Sequence, residues 1–256
     1  MLKDVLKRTL RLFGYRIGRI SNDNSLSPLG IQRQLIRRES PMIFDIGANI
    51  GTVTQQYRSL FPAAIIHSFE PYIASYLSLE HRCSQDSNIF PHQIAICDNT
   101  NKHTLYSNRS APTNSLLQKD SRSDALWGRG LLDTNSLLVV ESTTIDCFCA
   151  ENHIRTIDIL KMDIQGAELR ALHGAEEALS RQAISLIYLE IIIGETYIGQ
   201  PKLLEYIQQL DSHGYELFDL YNLERRSMRL IQTDAIFVNK DLMEAWQQRL
   251  HDKNAL

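Results

Sequence analysis

Between Pro41 and Thr52 the chain runs through a short apolar stretch, Ile43-Phe44-Asp45-Ile46, and then breaks on two glycines, Gly47 and Gly51. An apolar run closed by glycine is the pattern of a buried strand entering a tight turn. Past Gly51, the positions of Val53, Tyr57 and Leu60 fall on helical spacing. Strand, glycine turn, helix is a geometry that lets backbone approach an elongated, nucleotide-like ligand. A dinucleotide fingerprint needs glycines at positions 47, 49 and 52. Asn49 and Thr52 stand there instead, which argues against a bound pyrophosphate and against a nicotinamide-dependent oxidoreductase.

The second strand pattern, Ala63 to Pro71, ends in an acid. Glu70 lies 23 residues beyond Gly47, the distance at which a βαβ unit places a carboxylate beside an adenosine ribose. Two ribose hydroxyls donating to one carboxylate is sound hydrogen-bond chemistry. The alternative is a surface glutamate at a strand end. Pro71 stops the strand and places that turn at the same ligand edge. A third strand is expected over Ile89–Cys97, ending where Ala95 and Ile96 would flank an adenine ring. Asp45, at the end of the first strand beside the glycine turn, suits a ligand that presents an ammonium group. S-adenosylmethionine (SAM) meets these requirements.

The alternation continues with interruptions. Asp98-Asn99-Thr100-Asn101 reads as a turn leading to a strand over Thr104–Tyr106. Lys119 to Ser136 is polar and punctuated by Gly128 and Gly130, the composition of an irregular loop or lid. Trp127 within it could stack on an acceptor or pack back on the core. Strands are then expected over Leu137–Ser142, Ile157–Ile164 and Ser185–Ile193. Helices are expected over Asp146–Glu151, Gly166–Leu179 and Lys202–His213, and a closing strand pair over Tyr215–Tyr221 and Thr233–Asn239. Strands interleaved with helices imply a mostly parallel sheet covered on both faces.

The chain of 256 residues, 43% hydrophobic and 22% charged, can bury one large core. A net charge of −3 gives no whole-molecule pull toward nucleic acid. Residues 1–40 carry nine basic and three acidic side chains, net +6, so the remainder is −9. Leu2, Val5, Leu6, Leu10 and Phe13 share one helical face bordered by Lys3, Lys7, Arg8 and Arg11. Such a face either packs on the main domain or lies on an anionic membrane surface, which makes residues 1–20 a candidate peripheral membrane contact. Residues 21–28 read as a linker, followed by a helix over Leu29–Arg38. The four cysteines, Cys83, Cys97, Cys147 and Cys149, lack zinc-site spacing and read as free thiols. With no membrane-length apolar run and no signal-peptide pattern, a cytoplasmic protein is expected, with the inner membrane face as its peripheral option.

Four blocks in order give the chain a family resemblance: Asp45-Ile-Gly-Ala-Asn-Ile-Gly51, Phe69-Glu70-Pro71, Thr143-Thr-Ile-Asp146 and Asp158-Ile-Leu-Lys-Met-Asp-Ile-Gln-Gly-Ala-Glu168. They resemble the FkbM family of SAM-dependent methyltransferases, and with Thr233–Val238 the likeness spans about residues 41–240. Gln165 stands where many members carry Glu, which argues against an essential base at that position. The resemblance implies a class I (Rossmann-like) α/β fold: a mostly parallel seven-stranded sheet with helices on both faces and an antiparallel last strand. It also implies mainly O-methylation of sugars, glycans or natural products. The organisation expected is an N-terminal helix and linker (1–40), a methyltransferase domain (41–240, with 119–136 as acceptor lid) and a helical tail (241–256).

The resemblance supplies no settled catalytic set, and the roles expected here follow from position in the fold. Asp45, Gly47, Asn49 and Gly51 would handle the methionine end, Glu70 and Pro71 the ribose, Ala95 and Ile96 the adenine. Asp163 and Glu190, at the carboxyl ends of adjacent strands, are the candidates for a general base or for holding a Mg²⁺ that acidifies the acceptor hydroxyl. Asp163 could instead cap the helix near Gly166. Glu190, an acid in an apolar strand, needs a partner, and Lys161 is the candidate, catalytic or structural. Glu168 is explained by the helix dipole, and His67 reads as a core histidine. The acceptor is expected to be a sugar hydroxyl in a glycan, glycolipid or sugar-bearing metabolite. A polyketide or peptide natural product is the alternative, and a non-catalytic SAM-binding module the reading from another class.

Overall fold

A computed structural model describes residues 27–254; the amphipathic stretch 2–13 and all but the end of the expected linker lie outside the described residues. The first described helix, α1 (Pro28–Leu35), begins inside that linker and ends three residues before Arg38. Ser27 caps it, its hydroxyl accepting from Gly30 N at 3.1 Å, and proline at the first helical position has no N–H to leave unpaired.

Strand β1 (Met42–Ile46), helix α2 (Thr52–Leu60), strand β2 (Ile65–Phe69), helix α3 (Ile73–Cys83) and strand β3 (Ile89–His92) form the first half of the fold. The expected third strand is not continuous. After His92 the chain leaves the sheet, and β4 (Ala95–Ile96) pairs in parallel with Ser142 and Thr143 instead. β5 (Lys102–Asn108) and β6 (Thr134–Thr143) complete this second, three-stranded sheet in the order β4-β6-β5. Between them lies α4 (Ser123–Trp127), so the segment 119–136 is partly regular.

Helix α5 (Ile145–Glu151) then leads to β7 (Ile157–Met162). The single helix expected over Gly166–Leu179 is two, α6 (Glu168–His173) and α7 (Glu176–Ser180). The break falls at Gly174, where a Cβ would lie 2.1 Å from the Cys97 carbonyl oxygen. The Asp146 carboxylate caps the second piece, accepting from Glu177 N at 2.8 Å and Ala178 N at 3.0 Å. β8 (Ile184–Ile192), α8 (Leu203–Asp211), β9 (Glu216–Arg226), β10 (Arg229–Val238) and α9 (Lys240–Asn254) follow.

The main sheet has seven strands in the order β3-β2-β1-β7-β8-β10-β9. All neighbouring pairs from β3 to β8 are parallel, whereas β10 is antiparallel to both β8 and β9. This is the architecture the resemblance implied. Its central strands β1, β7 and β8 are mainly apolar because both faces are covered, whereas the edge strand β9 is largely polar and exposed. Ile43, Ile66, Ile159, Leu186 and Ile236 pack on one side with Tyr57 and Leu79, while Phe44, Phe69, Leu160, Ile187 and Phe237 pack on the other with Ile145 and Phe148. Strand order reverses between β1 and β7, which opens a crevice at their carboxyl ends, where such sheets bind ligands. Among the described residues no helix is long and apolar enough to cross a membrane.

Candidate active site

A cleft with about 660 Å³ of space, part of it open to solvent, occupies that crevice. Its floor is the end of β1 and the turn after it. Gly47, Asn49 and Gly51 all have left-handed backbone, φ +76°, +49° and +83°. The glycines are demanded by packing: a Cβ on Gly47 would lie 1.9 Å from the Asp163 carbonyl oxygen, and one on Gly51 2.9 Å from Leu79 Cδ1. Gly47 and Asn49 line the cleft, but Gly51 does not.

Glu70 fixes the turn. One carboxylate oxygen accepts from Asn49 N at 2.9 Å and the other from Tyr72 N at 2.8 Å. Each oxygen keeps a second lone-pair site, so two ribose hydroxyls can still donate to it. Burial lifts its carboxyl to about 6, partly opposed by those two N–H groups. The Asn49 side-chain oxygen accepts from Ser75 at 2.9 Å, tying the turn to α3. Pro71, Ile94, Ala95 and Ile96 supply an apolar wall beside Glu70, suited to a flat adenine.

The far wall comes from residues that the sequence pattern did not single out. Ala111, Pro112, Asn114, Ser115 and Leu116 follow β5 through a short 3₁₀ turn and close over the cleft. Asn108 pins them, its side chain donating to Thr113 O at 2.6 Å and its backbone N–H to Asn114 Oδ1 at 2.7 Å. The clustered Asn, Pro and Ser residues signal a turn, but nothing local says where that turn lands.

Two expected ligand contacts are placed elsewhere. Asp45 is fully buried beneath the cleft, accepting from Thr54 Oγ1 at 2.7 Å and paired with Lys161 Nζ at 2.9 Å. Asp45 therefore acts behind the turn, and no cleft-lining atom of it is left to meet an ammonium group. Lys161 is committed to Asp45 and to Gly47 O at 3.1 Å, so it is not the partner of Glu190. Burial pulls the Lys161 ammonium down, but Asp45, Asp163 and Glu190 together outweigh it and hold the group above its ordinary range.

Asp163 lines the cleft, and Glu190 stands behind it. Their link is Gln165, whose amide nitrogen donates to Asp163 Oδ1 at 3.0 Å and Glu190 Oε2 at 2.6 Å. Gln232 donates to the other Glu190 oxygen at 2.6 Å. Burial, then the Asp163 charge, raises the Glu190 carboxyl well above the usual range. The position between the two carboxylates that a Mg²⁺ would need is filled by an N–H donor, and this donor set does not fit the cation. Asp163 caps no helix. Glu168, fully buried, accepts from Ile164 N at 2.8 Å and Gly166 N at 3.3 Å and holds the 163–166 turn. Burial pushes its carboxyl up to about 7.

Trp127 packs back on Leu132, Ile192 and Tyr197, and its indole N–H donates to Thr196 Oγ1 at 2.7 Å. It does not reach the cleft. His67 is a core residue, its Nδ1 lying 3.0 Å from His92 Nε2 with the two rings stacked. A different group, Cys97, Asp98 and His103, brings potential metal-ligating atoms within 4.8 Å of one another. Asp98 is already held by Arg170 through two contacts at 2.9 and 3.2 Å, and burial raises the Cys97 thiol to about 11.

Comparison with known proteins follows this geometry. The chain is 28% identical over 197 residues to the 2-O-methyltransferase NoeI of Sinorhizobium fredii, covering 73% of this chain and 79% of that one. Among solved structures it is similar to a methyltransferase FkbM from Methylobacillus flagellatus KT, with a TM-score of 0.49 and 19% identity over 80% of this chain. The chain spans 45% of that protein's length. It is also similar to Aeropyrum pernix fibrillarin in complex with natively bound SAM, with a TM-score of 0.44, 15% identity and coverage of 78% and 67%. The Methyltransferase FkbM domain matches residues 45–217, which include the glycine turn, Glu70, Asp163 and Glu190. The chain belongs to the FkbM family of SAM-dependent methyltransferases.

Proposed function

We propose that this methyltransferase transfers the methyl group of SAM to a sugar hydroxyl, with Asp163 as the group that receives the hydroxyl proton. The observation that carries the reading is the position of Asp163. Its carboxylate lies in the same cleft as the Glu70 turn, at the carboxyl end of the strand next to β1. The relative NoeI, a 2-O-methyltransferase, supports oxygen as the methylated atom.

On this reading the donor's ribose is held by Glu70 and its adenine lies against Pro71, Ala95 and Ile96. Gly47 and Asn49 shape the turn that faces the methionine end. SAM, when bound, supplies a methyl carbon activated by a sulfonium. The protein must then align an acceptor oxygen with that carbon, exclude water and take one proton. Asp163 accepts the proton, and Asn114, on the covering wall, is the polar residue placed beside a hydroxyl-rich acceptor. The donor set around Asp163 and Glu190 requires no cation for this step.

The test is a screen of sugar nucleotides, lipid-linked glycans and polyketide or peptide metabolites for SAM-dependent gain of one methyl group, read by mass spectrometry. A methylated sugar, lost in Asp163→Asn while SAM still binds, is the expected result. Methylation confined to non-sugar metabolites would overturn the acceptor class. SAM binding with no transfer to any acceptor would favour the non-catalytic module.

A further inference from the structure

Gln165 is held at the cleft by both its backbone and its side chain. Its backbone sits at φ +57°, a left-handed conformation uncommon for a non-glycine residue. Every polar group it carries near the cleft has a partner. Its carbonyl oxygen accepts from Ser115 Oγ at 2.7 Å, and its side-chain Oε1 lies 2.9 Å from the Tyr197 hydroxyl. Its Nε2 reaches both Asp163 and Glu190. The two carboxylates fix which way the amide points, because reversing it would set an oxygen lone pair against both; the Tyr197 hydroxyl also has Thr113 O at 2.9 Å.

We propose that Gln165 is a positioning residue for methyl transfer, its amide clamping Asp163 to Glu190 so that the Asp163 carboxylate is held toward the cleft as proton acceptor. The inference rests on the reading of Asp163 as the base. Two carboxyl groups this close repel when both are ionised, and without a shared donor Asp163 would swing away from Glu190 and lose its fixed orientation at the cleft wall. The clamp removes that freedom by giving both acids one shared donor.

The surroundings leave this task to amides. Around Glu190 stand Asp163 and Lys161 from the β7 side, Glu168 and Tyr206 from α6 and α8, Asp234 from β10, and Tyr197. Lys161 is the one cation among these groups, and Asp45 already holds it. The negative charge of the pair is therefore stabilised by Gln165 on one side and Gln232 on the other. In the reaction the new C–O bond forms as the donor's sulfonium C–S bond breaks, its electron pair leaving on sulfur as a neutral thioether, while the acceptor O–H bond breaks and the proton passes to Asp163. The clamp keeps that carboxylate in line without itself gaining or losing a proton.

The test uses Gln165→Leu, which removes the donor without adding charge, beside Tyr197→Phe, which keeps the donor and removes one contact to the amide oxygen. With the acceptor found by the screen above, Gln165→Leu is expected to lower kcat by about 10- to 100-fold. SAM affinity, by calorimetry, should change by less than about threefold. The acidic limb of the kcat–pH profile should move to higher pH, and Tyr197→Phe should show a smaller loss in the same direction. Unchanged kcat and pH profile in Gln165→Leu would overturn the proposal, as would a loss accounted for by SAM affinity alone.

A second readout needs no acceptor. In protein carrying ¹³C-carboxyl glutamate, with the Glu190 signal identified through Glu190→Gln, the Glu190 midpoint should rise by about half a pH unit or more in Gln165→Leu. An unmoved midpoint counts against the clamp even if no sugar is ever methylated. A moved midpoint beside an inactive wild type would instead retain the clamp and reject the acceptor reading.

Discussion

Asp45 and Lys161 face each other across adjacent strands, β1 and β7, and their charged atoms meet at 2.9 Å with both side chains out of water. Lys161 reaches on to the carbonyl of Gly47, so the pair anchors the turn that forms the cleft floor. The two residues most readily assigned to ligand and catalysis from their positions in the chain thus support each other one layer below the ligand.

Breaking this pair should be costly for the fold. Lys161→Met leaves the Asp45 carboxylate buried without its cation, and a loss of about 3–5 kcal/mol is expected in urea unfolding. The double variant Asp45→Asn, Lys161→Met should lose less than the single one. Equal losses would remove the ion pair from the account.

Donor affinity should fall in acid. Burial lifts the Glu70 carboxyl from its ordinary 4.5 to about 6. For folding, this raised group adds stability below pH 4.5 and withdraws it as pH rises through 6. Binding has the opposite sign, because two ribose hydroxyls need the anion as acceptor. Calorimetric titration with SAM should show affinity about tenfold weaker at pH 5 than at pH 7.5, and Glu70→Gln should flatten that dependence at a weak value.

Gly47→Ala should unfold the site without any ligand present. Its Cβ would lie 1.9 Å from a backbone oxygen of Asp163 at φ +76°, a conflict that side-chain movement cannot relieve. A loss of about 3 kcal/mol or more in unfolding free energy is expected. A stable Gly47→Ala protein that merely fails to bind SAM would show that the glycine serves the ligand alone.

The stacked His67 and His92 should make the protein acid-sensitive. Burial lowers both imidazoles from 6.5 to about 4, and for His67 the charge of His92 adds to the effect. The unfolded chain therefore binds more protons between those values, so stability is fully present above pH 6.5 and is lost as pH falls toward 4. Unfolding free energies across this range should fall in the wild type and fall less steeply in His67→Phe, His92→Phe.

Trp127→Phe should cost about 1 kcal/mol of stability through the lost indole hydrogen bond and leave SAM affinity unchanged. Reduced donor binding would restore the surrounding segment to the site.

Much of the cleft's lining was legible in the chain. Gly47, Asn49, Glu70, Pro71, Ala95 and Ile96 all line one cleft, because each sits at the carboxyl end of a strand or at the turn after it, and strand ends can be read from apolar periodicity. The covering wall was less legible. Asn114 and Ser115 arrive through an excursion whose landing point depends on Asn108 and Thr134, 26 residues apart. The break at Gly174 was hidden for a similar reason, since its cause is a carbonyl on Cys97 far away in the chain.

By itself the amino-acid sequence determined the strand-and-helix alternation, the glycine turn, the acid at the second strand end and hence the methyl-donor class, because these are local patterns of spacing and residue type. Only the tertiary structure decided which carboxylates face ligand and which face each other. Asp45 and Asp163 both stand at the carboxyl ends of neighbouring strands. The first points into the sheet's covered face, where burial requires a cation, and the second belongs to the open crevice. That difference comes from which chain packs above each strand end, and no local pattern of residues encodes it.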